Sequence, residues 1–250
     1  MRLISIATHG CKFSEPLFAF IRDNAVRTDI FCFQEILKGG VGKTSRGEHK
    51  NAYEEMATLL PEHTGYFFEY GEGGYYSENS KDLDFKYGIA CFVRSNLKQS
   101  LGGGALLYDS NKRWSDYEGE IAAGAALAVQ VESCTIINVH GLWQGRIKKD
   151  TEAKLAQSDK IMILARQFSG KKVICGDFNL LPDTQSIQMF RDTYRDLIRE
   201  YGISDTRGPL YTKELRYADY LFTDKDINVH SFSVPHMSVS DHLPLIAEFE

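Results

Sequence analysis

The sequence lacks the cysteine patterns of a disulfide scaffold or a thiolate zinc site. Its five cysteines are an odd number, no two have the spacing C-x-x-C, and four lie in or beside apolar runs such as residues 31–33 and 173–175. Disulfide frameworks usually contain an even number of cysteines, and thiolate zinc sites usually contain closely spaced pairs. We therefore expect buried free thiols and a protein of the reducing cytoplasm.

Long apolar runs are also missing. The run nearest the N-terminus, residues 3–7, is shorter than a signal-peptide core or a membrane span. We therefore expect a soluble protein that does not insert into a membrane. The glycine run at residues 102–104 is not followed by the lysine and hydroxyl residue of a nucleotide-binding P-loop, so it predicts no phosphate site.

An excess of positive charge is missing as well. Lysine and arginine number 29 against 34 aspartate and glutamate residues, which gives a net charge of −5. A protein that holds long nucleic acid through its phosphates usually presents a basic surface, so this charge argues weakly against that mode of binding. Nucleic acid stays open as a substrate. The candidate basic residues are scattered along the chain: Arg94, Lys112, Arg113, Arg146, Lys148 and Arg207.

Apolar and aromatic residues are plentiful. The 250 residues are 43% hydrophobic and include 15 Phe and 13 Tyr, enough for one sizeable core, so we expect a single domain over residues 1–250 and a monomer. Helical spacing occurs at residues 16–21, 53–60 and 155–168. Because strand-like and helical segments alternate only in part, we predict an α/β protein with mixed sheets. The apolar runs of strand length are residues 3–7, 29–34, 88–93, 125–131, 135–139, 172–175, 220–222 and 243–249.

Two glycine-rich polar segments, residues 38–49 and 71–84, predict long loops, which in a compact domain are often functional. Tyr75 and Tyr76 in the second loop, together with Trp143, are candidates for the mouth of a substrate site. Aromatic residues near loops pack on the core at least as often, so composition alone does not decide between the two roles.

Polar residues two positions apart follow two of the predicted strands. On an extended chain such residues point the same way, so Asp177 and Asn179 can face one site, as can Asn138 and His140. Both patterns also have a plainer interpretation. Gly, Asp and Asn form turns, and a single histidine at a strand end is more often structural than catalytic.

Acids and a further histidine stand beside other predicted strands. Glu35 ends an apolar strand, and a carboxylate is a ligand that magnesium prefers, although Glu35 is equally suited to cap the next element. Asp241 and His242 precede the last strand. Because the side chains of adjacent residues diverge on an extended chain, His242 needs another carboxylate to orient it, and Asp219 is the candidate.

Taken together, these segments resemble the endonuclease/exonuclease/phosphatase (DNase I-like) superfamily. The resemblance spans essentially the whole chain. It implies an α/β four-layer sandwich, in which two packed mixed β-sheets are flanked by helices, with the site at one edge. The matching motifs, in the superfamily's order, are Gln34-Glu35, Asn138-Val139-His140, Gly176-Asp177-Phe178-Asn179, Asp219-Tyr220 and Ser240-Asp241-His242.

The resemblance also implies a magnesium-dependent phosphoesterase, first of all a phosphodiesterase, in which water attacks phosphorus directly. Glu35 would be the principal ligand of Mg²⁺, with Mn²⁺ as the alternative ion, and Asp241 would assist the metal or the water. Asp177 and Asn179 would position or deprotonate the attacking water. No covalent enzyme intermediate is expected.

On the phosphate side, the resemblance implies that His140 and His242 stabilise charge on the phosphoryl oxygens as imidazolium donors. Asp219 would orient His242. Asn138 and Trp143 would contact the substrate. Positioning and charge stabilisation of this kind suit phosphoester hydrolysis, which depends little on covalent chemistry.

The first strand departs from the superfamily's pattern, in which an asparagine usually helps to hold the metal. Ala7 stands at that place in Ile6-Ala7-Thr8-His9-Gly10, and its methyl group cannot bind an ion. Either the activity is impaired or altered, or His9 supplies a substitute contact. We expect residual metal-dependent hydrolysis.

Two alternative functions follow from these observations. A DNase-like endonuclease would need a groove lined with basic residues, which the scattered positions do not establish. A binding protein of the same fold that has lost turnover is motivated by Ala7 alone. The residues that weigh against it are Glu35, His140, Asp177, Asn179, Asp219 and His242.

Overall fold

The computed structural model describes residues 1–72, 84–108, 121–122, 124–145 and 147–250. Five residues considered above lie outside that part of the chain: Tyr75, Tyr76, Lys112, Arg113 and Arg146. The described helices are a 3-10 helix (His9–Cys11), α1 (Ser14–Ala25), α2 (Ala52–Leu59), α3 (Glu152–Arg166), α4 (Gln185–Arg191) and α5 (Leu197–Glu200). The described strands are β1 (Arg2–Ala7), β2 (Ile30–Lys38), β3 (His63–Glu72), β4 (Lys86–Arg94), β5 (Gln99–Leu106), β6 (Ile121–Ala122), β7 (Ala125–Val131), β8 (Cys134–His140), β9 (Trp143–Gln144), β10 (Lys171–Asp177), β11 (Arg195–Asp196), β12 (Asp219–Thr223), β13 (Val229–Ser233) and β14 (Leu245–Phe249).

In these residues the strands form two six-stranded sheets and a two-stranded ribbon. The first sheet has the order β13-β14-β1-β2-β4-β3, and β1 runs parallel to β2. The second sheet has the order β11-β12-β10-β8-β7-β5, and β8 runs parallel to β10. Because each sheet combines parallel and antiparallel pairs, the prediction of mixed sheets is confirmed.

Alternation along β1 shows how the layers form. Ile4 and Ile6 pack against α1 and α2 on the outer face of the first sheet, whereas Leu3 belongs to the core between the two sheets. Residues of α3 and α4, such as Ile161 and Phe190, cover the other face of the second sheet. The order is therefore helices, sheet, sheet, helices, and the predicted four-layer sandwich is confirmed.

Hydrogen bonds of Asn138 join the two sheets close to the predicted site. Its Nδ2 donates to the carbonyl oxygens of Phe33 and Ala90, both at 3.0 Å, and its Oδ1 accepts from Gln34 Nε2 at 2.6 Å. The side chain is 0% exposed. Because both of its polar atoms are used between the sheets, the expectation that Asn138 contacts the substrate is wrong for this structure. Asn138 instead fixes β8 relative to β2 and β4.

The eight strands predicted from apolar runs correspond to β1, β2, β4, β7, β8, β10, β12 and β14. The sequence did not predict β3, β5 or β13. In β5 the glycine run lies within the strand, and the register shifts between Leu101 and Gly103. Glycines remove the apolar alternation by which a strand is recognised.

The cysteines agree with the sequence analysis, since all five are buried and free. Among the described helices, none is long and apolar enough to cross a membrane.

Candidate active site

A cavity of about 980 Å³ opens beside the ends of β1, β8 and β10. The structure brings most of the predicted site residues together around it. Asn138 and Asp219 do not line the cavity, and Asp219 lies directly behind His242. The predicted residues that line it are Glu35, His140, Trp143, Asp177, Asn179, Asp241 and His242.

Three neighbouring strands of the second sheet place their site residues side by side. In the strand register, Asp177 of β10 is paired with His140 of β8 and with Asp219 of β12. Gly176, just before Asp177, has φ 130°, and a Cβ there would lie 2.0 Å from the carbonyl oxygen of Val139. Only glycine fits this close approach of β10 to β8. The glycine of the motif therefore serves to bring the acid beside the histidine.

Asn179 reaches the cavity through a turn, in contrast to the extended chain assumed from its spacing. Its φ is 54°, its backbone N–H donates to Asp177 Oδ1 at 2.7 Å, and its Nδ2 donates to the carbonyl oxygen of Gly141 at 3.2 Å. The motif thus forms a turn, and both of its polar residues also line the cavity. The turn orients the Asp177 carboxylate and ties it to the end of β8.

Polar residues on the buried face of α3 support the same two strand ends. Lys154 Nζ donates to the carbonyl oxygen of Asn179 at 2.8 Å, and Gln157 Nε2 donates to that of Phe178 at 3.2 Å. Gln157 Oε1 also accepts from the backbone N–H of Leu142 at 2.6 Å. Burial lowers the pKa of Lys154 to about 8. These contacts hold the segments after β8 and β10 at a fixed separation.

His242 lies between a carboxylate and a guanidinium. Its Nδ1 is 2.8 and 2.9 Å from the two carboxylate oxygens of Asp219, and its Nε2 contacts Nη1 of Arg207. A guanidinium can only donate, so Nε2 accepts from Arg207, and Nδ1 carries the hydrogen that it donates to Asp219. Burial, followed by Arg207, lowers the pKa of His242, whereas burial raises that of Asp219. The predicted pairing of His242 with Asp219 is observed.

Arg207 is buried and faces two further carboxylates. Its Nη1 is 3.3 Å from Asp241 Oδ2 and its Nη2 is 3.8 Å from Asp177 Oδ2, while the ring centre of Tyr211 lies 4.5 Å from its guanidinium carbon. Its Nε has no hydrogen-bond partner among the described residues. Burial acts against the charge, but Asp177, Asp219 and Asp241 raise the pKa of Arg207. A permanent positive charge with spare donor capacity therefore stands at the cavity.

The imidazoles differ from the expectation of imidazolium donors. Burial lowers the pKa of His140, as it does that of His242, which favours neutral rings over the expected imidazolium donors. His140 Nδ1 contacts the hydroxyl group of Tyr70, and its Nε2 is 3.7 Å from Glu35 Oε1. The positive charge assigned to the imidazoles belongs instead to Arg207.

Lys148 is a second buried cation at the cavity. Its Nζ donates to the carbonyl oxygen of Tyr217 at 3.0 Å and lies 5.9 Å from the ring centre of Tyr211, the ring that Arg207 also covers. Burial, followed by Arg207, lowers the pKa of Lys148 to about 8. Two basic residues that are scattered in the sequence are therefore neighbours in space. Both were among the candidate basic residues, but neither belongs to a motif, so no sequence pattern predicted its place at the cavity.

The two carboxylates expected at a metal lie in different surroundings. Burial raises the pKa of Glu35, although His140 and His9 oppose this. Burial also disfavours the charge of Asp241, but His242, a hydrogen bond from His9 and Arg207 together hold its pKa below the usual range. Asp241 Oδ1 is 2.9 Å from His9 Nδ1. Glu35 is therefore the carboxylate whose burial leaves it most in need of a cation.

Within the described part of the chain, one group of three side chains has its ligand atoms within 4.8 Å of one another: Asp177, Asp219 and His242. This group could hold a divalent metal. It contains neither Glu35 nor Asp241. Both ring nitrogens of His242 already have partners, and Arg207 places a positive charge against the same residues. The side chains of this group are therefore better suited to form hydrogen bonds with one another and with Arg207 than to bind a metal ion.

Ala7 and Trp143 complete the predicted positions. Ala7 is 0% exposed at the end of β1, and its carbonyl oxygen accepts from Ser240 Oγ at 2.7 Å. Alternation from Leu3 directs its methyl group between the sheets, so no ligand atom stands there. Trp143, in β9, is 41% exposed at the rim of the cavity.

Comparison with known proteins agrees with this architecture. The model of the group described as the Endonuclease/Exonuclease/phosphatase family matches residues 11–242. No curated protein matches the sequence at a significant level.

Solved structures with similar folds include three whose chains are matched almost completely, and each match covers 100% of this chain. A mannosyl-6-phosphatase of Bacteroides thetaiotaomicron has a TM-score of 0.68 with 16% identity over 99% of its chain. The human Nocturnin catalytic domain has a TM-score of 0.62 with 18% identity over 93% of its chain. An endonuclease/exonuclease/phosphatase of Bacteroides vulgatus has a TM-score of 0.64 with 17% identity over 98% of its chain. Identities this low show the fold alone.

Proposed function

Because the chain belongs to the endonuclease/exonuclease/phosphatase family, we propose that it is a divalent-metal-dependent hydrolase that cleaves a phosphate ester by direct attack of water. A phosphodiester is the first substrate class proposed. The observation that carries the proposal is the convergence of Asp177, His242 and the buried Arg207 on one cavity that Glu35 also lines. In this proposal Asp177 is the general base and His242 is a hydrogen-bonding imidazole. Arg207 is the fixed cation and Glu35 the metal ligand.

Asp177 and Asn179 act on the attacking water. The Asp177 carboxylate accepts from the Asn179 backbone through Oδ1, which leaves Oδ2 facing His242 and Arg207 at 3.6 and 3.8 Å. A carboxylate oxygen in this position accepts a hydrogen bond from water and receives its proton as the water oxygen bonds to phosphorus and the ester P–O bond breaks, while the leaving oxygen takes up a proton from solvent. The buried turn fixes the direction of that approach.

Arg207 and the histidines act on the phosphoryl group. A guanidinium fits two oxygens of a phosphate at once, and Arg207 lines the cavity with an unbroken positive charge. His242 accepts from Arg207 and donates to Asp219, so it orients the guanidinium. His140, held by Tyr70, contributes a neutral ring beside Glu35. In a site with little water, a charge that is held in place stabilises the transition state more than a mobile charge does.

The residues present fit a divalent cation on the Glu35 side of the cavity. Glu35 is a hard carboxylate ligand beside His9 and His140, its side chain is half-buried at the cavity, and among the described residues it forms no ion pair with a lysine or arginine. Mg²⁺ is the first candidate and Mn²⁺ the second. When bound, such an ion withdraws charge from the phosphoryl oxygens.

The test is a phosphoester panel run with and without divalent metal. It contains bis-p-nitrophenyl phosphate, p-nitrophenyl phosphate and plasmid DNA, with wild-type protein, Asp177→Ala and the exposed control Asp23→Ala. We expect metal-dependent hydrolysis by the wild type and by Asp23→Ala, and a loss of at least about a hundredfold in Asp177→Ala. Equal activity in Asp177→Ala would remove the mechanism. Nicking of plasmid DNA without cleavage of the small esters would favour the endonuclease alternative.

Cytoplasmic location and a monomeric state complete the proposal. Five buried free cysteines support a reducing compartment. Analytical ultracentrifugation of the purified chain tests the monomer.

A further inference from the structure

The segment after β1 and the irregularity within β2, where the register shifts between Phe33 and Ile36, hold two side chains at the cavity in an unusual backbone conformation. Ala7 and Gln34 are partners in the parallel register, and Thr8 continues the link because its Oγ1 donates to the carbonyl oxygen of Glu35 at 2.9 Å. His9 and Glu35 then adopt φ of 52° and 58°. Left-handed backbone at residues other than glycine is strained and collects at functional sites. Here it turns both side chains into one cavity.

The imidazole of His9 is oriented by an acid and keeps one nitrogen for a ligand. Its Nδ1 is 2.9 Å from Asp241 Oδ1, and its side chain is 36% exposed at the cavity. Its Nε2 has no hydrogen-bond partner among the described residues. A histidine that binds a metal commonly donates its other N–H to a carboxylate, which fixes the ring and its tautomer. The His9–Asp241 pair has this arrangement.

Asp241 is itself better suited to orient a ligand than to be one. Its Oδ1 is taken by His9 and its Oδ2 faces Arg207 at 3.3 Å. A carboxylate with both oxygens engaged by cationic or N–H groups has little left to offer an ion. Glu35, by contrast, has no hydrogen bond to its carboxylate among the described residues, and its nearest ionic neighbour is His140 at 3.7 Å.

We propose that Nε2 of His9 and the carboxylate of Glu35 together hold the divalent metal, with Asp241 orienting His9, and that this site prefers Mn²⁺, Co²⁺ or Zn²⁺ to Mg²⁺. Imidazole is a borderline donor that suits these transition metals, whereas Mg²⁺ favours oxygen ligands and water. The inference rests on the proposed metal dependence and names the ligands and the class of ion. Ala7 supplies no atom to this site.

The test measures metal binding directly on the full chain after removal of metal by a chelator. Calorimetry with Mn²⁺ and with Mg²⁺ gives the two affinities, and pulsed electron paramagnetic resonance of bound Mn²⁺ detects a directly coordinated nitrogen. We expect Mn²⁺ to bind at least about tenfold more tightly than Mg²⁺, with a nitrogen signal. His9→Ala should lose about 10- to 100-fold in Mn²⁺ affinity and the nitrogen signal, whereas the exposed control His236→Ala should keep both.

Two further variants separate the roles of the pair. His9→Gln replaces nitrogen by an amide oxygen, so the ratio of Mn²⁺ to Mg²⁺ affinity should fall. Asp241→Asn should weaken Mn²⁺ binding by about 10- to 100-fold while the nitrogen signal persists. Circular dichroism of each variant establishes that it is folded.

The outcomes distinguish this inference from the proposed function. A wild-type protein that binds Mn²⁺ without a nitrogen signal, or a signal that persists in folded His9→Ala, would overturn the role of His9 and leave metal-dependent hydrolysis intact. Absence of binding by either ion, together with no hydrolysis on the phosphoester panel, would instead remove the proposed function.

Discussion

Both carboxylate oxygens of Asp219 lie within hydrogen-bond distance of His242 Nδ1, at 2.8 and 2.9 Å. Because Arg207 occupies the other ring nitrogen and can only donate, the hydrogen of the neutral ring is on Nδ1. Asp219 therefore acts through His242 and not on the cavity, which it does not line. Its function is to fix the tautomer and direction of a ring that in turn directs a guanidinium.

Asp219→Asn tests this relay. We expect kcat to fall by about 10- to 100-fold, because a hydrogen bond to a charged group contributes about 1.5–3 kcal/mol. KM and the affinity for Mn²⁺ should stay unchanged, since Asp219 touches neither substrate nor metal. Steady-state kinetics and calorimetry measure the three quantities. If metal affinity falls together with kcat, the group formed by Asp177, Asp219 and His242 holds the ion.

Arg207→Lys tests whether the planar guanidinium is required or only its charge. Lysine keeps the charge but loses the two-point contact with phosphate and the stacking on Tyr211. We expect kcat/KM to fall by about 10- to 100-fold, with the effect shared between kcat and KM. The exposed Arg22→Lys is the matched control. A variant as active as the wild type would show that Arg207 contributes only its positive charge and that the planar guanidinium is not required.

Ala7→Asn tests the departure in the first strand. We expect Mg²⁺ affinity and the rate with Mg²⁺ to rise by about one to two decades, because an amide oxygen would be added beside the ion. The site is fully buried, so overpacking of about 1–3 kcal/mol opposes the change, and a thermal melt is needed alongside the kinetics. Unchanged rate and Mg²⁺ affinity in a folded variant would mean that position 7 does not correspond to the ligand position of relatives.

Lys154→Met tests the buried amine that holds the Asn179 turn. The folded pKa of about 8 lies below the ordinary lysine value of 10.5, so folding favours the neutral amine. The contribution of Lys154 to stability is therefore full above pH 10.5 and is lost as the pH falls through 8. The stability advantage of wild type over Lys154→Met should grow between pH 8 and 9.5, by at most about 1.4 kcal/mol per pH unit.

Urea unfolding of both proteins at several pH values measures that difference, with the exposed Lys149→Met as control. Comparison of wild type with variant cancels the titration of the other buried groups, the cysteines among them. A difference that does not change with pH would show that Lys154 keeps its charge in the folded protein.

Much of the fold was predictable because buried strands and helices leave a recognisable pattern of apolar residues in the sequence. The runs that became β1, β2, β8 and β10 are apolar on both faces, as expected of strands that lie between a second sheet and a layer of helices. β5 was not predictable, because its glycines remove the alternation of apolar and polar residues. Its pairing with β7 depends on the tertiary fold. The buried face of α3 carries Lys154, Gln157 and Ser158, which in a sequence look like a solvent face.

The site was predictable where short motifs carry it and not elsewhere. Asp177, Asn179 and His242 lie in such motifs, and the structure brings them together. Arg207 is a single basic residue in a segment that has neither helical nor strand periodicity. Its contacts arise from the tertiary fold, which no local sequence pattern predicts. Asn138 is the opposite case. It lies in a motif, but the sequence did not show that its side chain points toward the first sheet.

The cavity lies across the junction of the two sheets, since Glu35 belongs to β2 of the first sheet and His9 follows β1, while His140 and Asp177 belong to the second sheet. Gln34, next to Glu35, is hydrogen-bonded to Asn138 across the two sheets. A small sliding of one sheet over the other would separate His9 and Glu35 from His140 and Asp177 without breaking either sheet. Heat inactivation should consequently precede cooperative unfolding, and the interval between the two temperatures should widen when Asn138 is replaced by leucine.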